Sequence, residues 1–162
     1  MTDAFAAAMT DLGDDPEIRS ILADVCALTG MGFAAVARVT EQRWIACQVE
    51  DKIEFGLNPG DELAIKQTIC SEVRDCGQAI FIDDVTADPN WRMHSVPILY
   101  GFKSYASLPL ILDDGKLFGT LCMIDPEPHS LSTAEMVKAL RAYADRLAAI
   151  LSAKAGANVA TN

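Results

Sequence analysis

In the second half of the chain two apolar runs, Ser104 to Leu112 and Leu117 to Ile124, are separated by Asp113-Asp114-Gly115. Asp and Gly tolerate the positive φ of tight hairpin turns, so this stretch is expected to fold back on itself as two antiparallel strands. A second pair stands upstream, where Phe33 to Thr40 and Trp44 to Val49 flank the short polar link Glu41-Gln42-Arg43. Strand pairs joined by tight turns build a largely antiparallel sheet, and such a sheet needs apolar cover on at least one face.

The cover is legible at both ends of the chain. From Asp15 to Thr29 the apolar residues Ile18, Ile21, Leu22, Val25, Cys26 and Leu28 follow a 3.6-residue repeat, the mark of a helix with one buried stripe. Asp14 or Asp15 can cap it with Pro16 in the first turn, and Gly30 ends it. Ser132 to Ala153 reads as a long second helix, with Met136, Val137, Leu140, Tyr143, Leu147, Ile150 and Leu151 on its apolar side. Between the hairpins, Leu63, Ile65, Ile69, Cys70 and Val73 predict a helix over 61–76 that Gly77 stops, followed by a short strand over Ala79 to Val85. Thr86 to Tyr100, with Pro89 and Pro97, reads as a loop holding at most a helical turn or two. The expected division is an N-terminal extension (1–14), one domain (15–153) and a flexible tail or linker (154–162), with no internal repeat.

Bulk composition narrows the functional classes. With 162 residues, 51% of them hydrophobic, the chain can bury a sizeable core, which argues against disorder. The formal charge of -10 repels phosphate backbones and anionic lipid, so neither nucleic acid nor a membrane surface is an expected partner. No run approaches the ~20 apolar residues of a membrane helix, and the start carries Asp3 in place of a basic export leader, so a cytoplasmic location is expected. Cys26, Cys47, Cys70, Cys76 and Cys122 include no C-x-x-C pair. They read as thiols in a reducing compartment.

Three segments then resemble a known family. Ser104-Tyr105-Ala106-Ser107-Leu108-Pro109-Leu110, followed after a turn by Phe118-Gly119-Thr120-Leu121-Cys122-Met123-Ile124-Asp125, resembles the closing hairpin of GAF domains. Gly77-Gln78-Ala79-Ile80-Phe81-Ile82-Asp83-Asp84-Val85 resembles the family's middle strand. The resemblance covers roughly residues 15 to 153. It implies an α/β (α+β) fold with a six-stranded, mainly antiparallel sheet, the N- and C-terminal helices on one face, and loops or a short helix over a ligand pocket on the other. The stretch from Thr68-Ile69-Cys70 through Leu99-Tyr100-Gly101-Phe102 to Gly119-Thr120-Leu121-Cys122 resembles the input domains of proteobacterial sensor histidine kinases. That likeness implies a non-catalytic sensory role, either free-standing or within a longer receptor.

Four sets of candidate residues follow. Met93-His94 stands where bilin-binding members of the family carry Cys-His. A thioether cannot add to a bilin vinyl group, which leaves His94 to contact a noncovalent bilin or to ligate haem iron; the plainer reading is a surface histidine. Cys70 falls near the position of a cysteine in GAF-fold free methionine-(R)-sulfoxide reductases. The loop from Thr86 to Lys103 has no second thiol to resolve the intermediate, however, and Cys70 on an apolar stripe also reads as a small core residue. Trp91, Tyr100, Phe102 and Tyr105, with Arg92, Met93 and His94, give an apolar wall bearing a few polar groups, as small-molecule sites do; the same rings can instead close the sheet face as a plug. No metal centre is expected, because His94 and His129 are far apart and lack a ligand at i+3 or i+4. Lastly, Ala144 and Ala148 keep a strip of the final helix small, so the terminal helices can pack against a second copy as a homodimer or simply cover their own sheet.

Overall fold

The computed structural model describes residues 15–39, 43–53, 56, 61–64, 77–89, 91, 101–113 and 115–160, without the side chains of 43, 62–64 and 154–160. Helix α1 spans Pro16–Thr29. Its start is set by Asp15, whose Oδ1 accepts the backbone N–H of Glu17 (2.9 Å) and of Ile18 (3.1 Å), satisfying donors that a helix otherwise leaves open. Its stop is Gly30, which at φ 79° returns its N–H to the carbonyl of Cys26 at 2.9 Å. Ile18, Ile21, Leu22, Val25 and Cys26 are buried, as their periodicity requires.

Strands β1 (Phe33–Val39) and β2 (Arg43–Asp51) pair antiparallel, and β1 also pairs antiparallel with β6 (Leu117–Asp125). Strand β5 (Ser104–Ile111) lies between β6 and the three-residue β4 (Ile80–Ile82). On the far side β2 carries another three-residue edge strand, β3 (Glu62–Ala64), so the order across the sheet is β3-β2-β1-β6-β5-β4. The helix predicted over 61–76 is corrected at its start. Asp61 accepts the N–H of Ala46 at 2.9 Å, and Glu62–Ala64 continue that pairing along β2, where they occupy backbone groups that an edge would leave open. Residues 65–76 lie outside the described residues.

Helix α2 runs Ala134–Ala160. It opens after Thr133, whose Oγ1 accepts the N–H of Met136 at 3.2 Å, and it passes through Gly156 where a flexible tail was expected from residue 154. An isolated glycine costs a helix only ~1 kcal/mol, too little to stop it. Leu140, Ala144, Leu147 and Leu151 are buried on one stripe of α2 and join α1 in a core with Ala34, Val36, Leu108, Leu121 and Met123 on one face of the sheet. Each aliphatic side chain of Val or Leu size in that core contributes about 1.5–3 kcal/mol of transfer free energy. Two register shifts adjust which residues face it. One extra residue in β2, between the pairs Val36–Gln48 and Ala37–Ala46, puts Ile45 and Cys47 on the helical side and Trp44, Ala46 and Val49 on the other. One in β6, at Phe118, turns that ring into the helical core, with the Arg38 guanidinium 5.3 Å above it.

Candidate functional site

The sheet face away from the helices forms its own cluster, and the strand register arranges it in rows. One row crosses the sheet as Ala46, Ala37, Thr120 and Pro109, and the next as Val49, Ala35, Cys122, Ser107 and Ile80. Beyond them lie Phe33, Ile124, Tyr105 and Ile82, and at the opposite end Val39 and Trp44. The middle of the face is therefore a floor of small side chains, Ala35, Ala37, Ala46, Ser107, Thr120 and Cys122, between walls of large ones. At strand dimensions this floor extends about 7 Å along the chains and roughly 14 Å across four strands. Ala35, Ala37, Ala46, Ser107 and Thr120 have no solvent-accessible area and Cys122 has 5%.

One polar atom on this face lacks a partner. The indole of Trp44 is 97% buried, and its Nε1–H meets no acceptor among the described residues. A buried donor left in that state costs about 1–3 kcal/mol, so native proteins seldom keep one without a reason. Phe102 and Tyr105 stack at 5.4 Å between ring centroids, and Trp91 packs partly buried against the same cluster. The structure thus brings Trp91, Phe102 and Tyr105 of the expected aromatic wall onto the face opposite the helices. Cys70, Arg92, Met93, His94 and Tyr100 lie outside the described residues.

The carboxylates and thiols near the sheet's edges were less legible. Asp125, the last residue of β6, is almost fully buried and accepts the N–H of Gly32 (2.8 Å), the N–H of Glu127 (2.9 Å) and a contact from His129 Nε2 (2.9 Å). His129 therefore has a carboxylate partner at i−4, where the sequence reading looked for one only at i+3 or i+4. Asp83, directly after β4, accepts the N–H groups of Leu131 (2.8 Å) and Ser132 (2.9 Å) and the Ser132 hydroxyl (2.7 Å). Hydrogen bonds from Thr86 hold the exposed Asp84 carboxyl below the usual carboxylate range, where it caps the short 3-10 turn Val85–Ala87. Burial pushes the Cys26 thiol up to about 11, against a smaller opposing pull from Lys52. Cys26, Cys47 and Cys122 are all buried thiols. Among the described residues no group of three or more His, Cys, Asp or Glu side chains could hold a metal ion. No helix of the described residues is long and apolar enough to cross a membrane.

An antiparallel sheet with both terminal helices on one face and an aromatic-walled second face defines a class of small α+β modules. The family model described as GAF domain matches residues 16–151, and the chain belongs to that family. Among curated proteins no sequence match was found. Solved structures share the fold at low identity. The GAF domain of Thermosynechococcus elongatus PixJ in its blue-light absorbing form matches with a TM-score of 0.69 and 9% identity over 99% of this chain and 95% of its own. The GAF domain of a two-component sensor histidine kinase from Bacillus halodurans matches with a TM-score of 0.65 and 16% identity, over 90% and 97%. A type II free methionine-R-sulfoxide reductase from Thermoplasma acidophilum matches with a TM-score of 0.62 and 10% identity, over 91% and 94%.

Proposed function

We propose that this chain is a non-catalytic sensory module that holds a small molecule against the sheet face opposite the helices and passes its presence on through the terminal helices. The observation that carries this reading is the small-residue floor beside the buried Trp44 N–H, which has no partner among the described residues. Small-molecule sites are mostly apolar with one or two oriented polar groups, and an unsatisfied buried donor gains most from a ligand bearing an acceptor. Non-catalytic action fits the described thiols, since a cysteine pushed up to about 11 is a poor nucleophile at neutral pH and Cys47 and Cys122 are buried in strands. The fold shared with the histidine kinase GAF domain supports a place at the input end of a bacterial signalling protein; in this reading the terminal helices meet those of a second copy in a cytoplasmic homodimer.

Native mass spectrometry of freshly purified protein tests this reading, because retained ligand and oligomeric state are read together. A dimer carrying extra mass per protomer supports it, and a clean apo monomer overturns it. Co-expression with haem or biliverdin adds an absorbance readout, in which coloured protein identifies the occupant as a tetrapyrrole. Thiol-dependent loss of free methionine sulfoxide that vanishes in Cys70→Ser would replace the sensory reading with the reductase one.

A further inference from the structure

We propose that Asp83 and Asp125 are a paired clasp that makes the lead-in to α2 move with strands β4 and β6, so that occupancy of the opposite sheet face is felt at the base of that helix. The proposal rests on the sensory reading above and specifies how that site would be read out.

The two carboxylates hold equivalent places. Each is attached to a strand whose preceding residues face the small-residue floor's side of the sheet: Ile80 and Ile82 come just before Asp83, and Cys122 and Ile124 just before Asp125. Each then reaches across to the segment 126–133 that leads into α2. Asp83 takes both backbone N–H groups of Leu131 and Ser132 on a single oxygen and the Ser132 hydroxyl on the other, while its carbonyl accepts the N–H of His129 at 3.1 Å. Asp125 takes the N–H of Glu127 and the His129 ring, and the Ser104 hydroxyl donates to the Glu127 carbonyl at 2.7 Å. His129 touches both clasps, Asp83 through its backbone and Asp125 through its ring.

What lies beyond the clasps matters as much. Leu131 is fully buried in the helical core, and Thr133, two residues on, caps α2. The lead-in is therefore fastened on one side to β4 and β6, whose Ile80, Ile82, Cys122 and Ile124 lie on the floor's face of the sheet, and on the other to the helix packing. Hydrogen bonds to a carboxylate are about twice as strong as neutral ones, so a displacement of β4 is followed by residues 131–133 rather than absorbed by slack in the connection. Asp125 also accepts the N–H of Gly32 at the entrance of β1, which ties the β6 clasp to the neighbouring strand.

Hydrogen exchange on the full chain, with no ligand added, tests the clasp. Ile82→Ala removes a prop from β4 on the ligand-floor face without touching a clasp atom; Asp83→Ala opens one clasp. Exchange of the amides of 131–137 is compared with that of Ala35 in β1, which reports opening of the whole fold. Ile82→Ala is expected to speed exchange at 131–137 at least tenfold relative to Ala35, and to add less than twofold once Asp83→Ala is present. Ile82→Val serves the same comparison if Ile82→Ala does not fold, with a smaller but equally non-additive effect. Acceleration confined to β4, or effects of the two substitutions that multiply in full, overturn the proposal. Because no ligand enters the experiment, a clean apo protein in the native mass spectrum would refute the sensory reading and leave this result standing on its own.

Discussion

Gly119→Ala is the sharpest perturbation the sheet offers. A Cβ at Gly119 would lie 1.8 Å from the carbonyl oxygen of Ala37, 2.8 Å from its carbonyl carbon and 2.9 Å from the Val39 nitrogen, where ordinary contact begins at 3.4 Å. All three atoms belong to backbone, so no side-chain rotation relieves the clash. β1 and β6 would have to part by more than 1 Å beyond their normal spacing of about 4.8 Å, breaking the ladder around the Arg38–Gly119 pair. Overpacking costs about 1–3 kcal/mol and each orphaned ladder group another 1–3, so a loss of roughly 3–5 kcal/mol is expected. That is a large share of the ~5–15 kcal/mol a domain has. Urea unfolding followed by tryptophan fluorescence measures it, with Gly115→Ala as the control. Gly115 sits at φ 84° with nothing within 4 Å of a new Cβ, so only the left-handed backbone cost of about 1–2 kcal/mol applies there. If Gly119→Ala unfolds within 1 kcal/mol of the parent, the close approach of β1 and β6 at the bulge is refuted.

Other outcomes follow from burial and charge. Leu147→Ala, at a fully buried position between α2 and the sheet, should cost about 2–5 kcal/mol in the same assay, whereas Leu28→Ser at a 43% exposed site should stay within about 0.5 kcal/mol. Trp44→Phe sheds the unpartnered donor along with some apolar area, so the two effects nearly cancel and stability should stay within about 1 kcal/mol; a loss above ~3 kcal/mol would show that the N–H is bonded. Cys26, with its thiol raised from 9.0 to about 11, should resist iodoacetamide at pH 8 while folded and react once urea unfolds the chain. The same shift sets a sign for stability. Below pH 9 the thiol is protonated in both states and contributes nothing, and between pH 9 and about 11 only the unfolded chain ionises, so stability should fall across that window. Cys26→Ala should flatten the decline in urea midpoints measured from pH 8 to 11.

What the sequence disclosed depended on how local the physics was. The paired strands of both hairpins, the Asp15 cap, the Gly30 stop and most of the apolar stripes of the two long helices are set by neighbours within a few residues, and they appear where their residues called for them, except that Leu28 of the first stripe is exposed. Glu62–Ala64 read as helix because Leu63 and Ile65 fit a helical stripe, while the deciding partner, β2, lies some twenty residues away. The segment from residue 154 read as a flexible tail, yet the helix continues through Gly156, which does not take the left-handed conformation that stops the first helix at Gly30. For the candidate site, the rings Trp91, Phe102 and Tyr105 were visible as a cluster, since large aromatic residues near a strand stand out. The alanine floor was not, because alanine carries no signal of its own and its arrangement comes from the register of four strands. The partners of Asp83 sit 48 and 49 residues away and Gly32 is 93 residues from Asp125, separations no local pattern encodes.

The 27 residues of α2 measure about 40 Å end to end, and Leu151, the last core residue among its described side chains, stands nine residues before Ala160. Such a rod is a lever with its fulcrum at the sheet. A tilt of about 5° at Thr133, small enough to leave every clasp bond intact, would swing Ala160 by roughly 3.5 Å. Motion too slight to register near the strands would arrive at the far tip as a step comparable to more than half of one helical pitch.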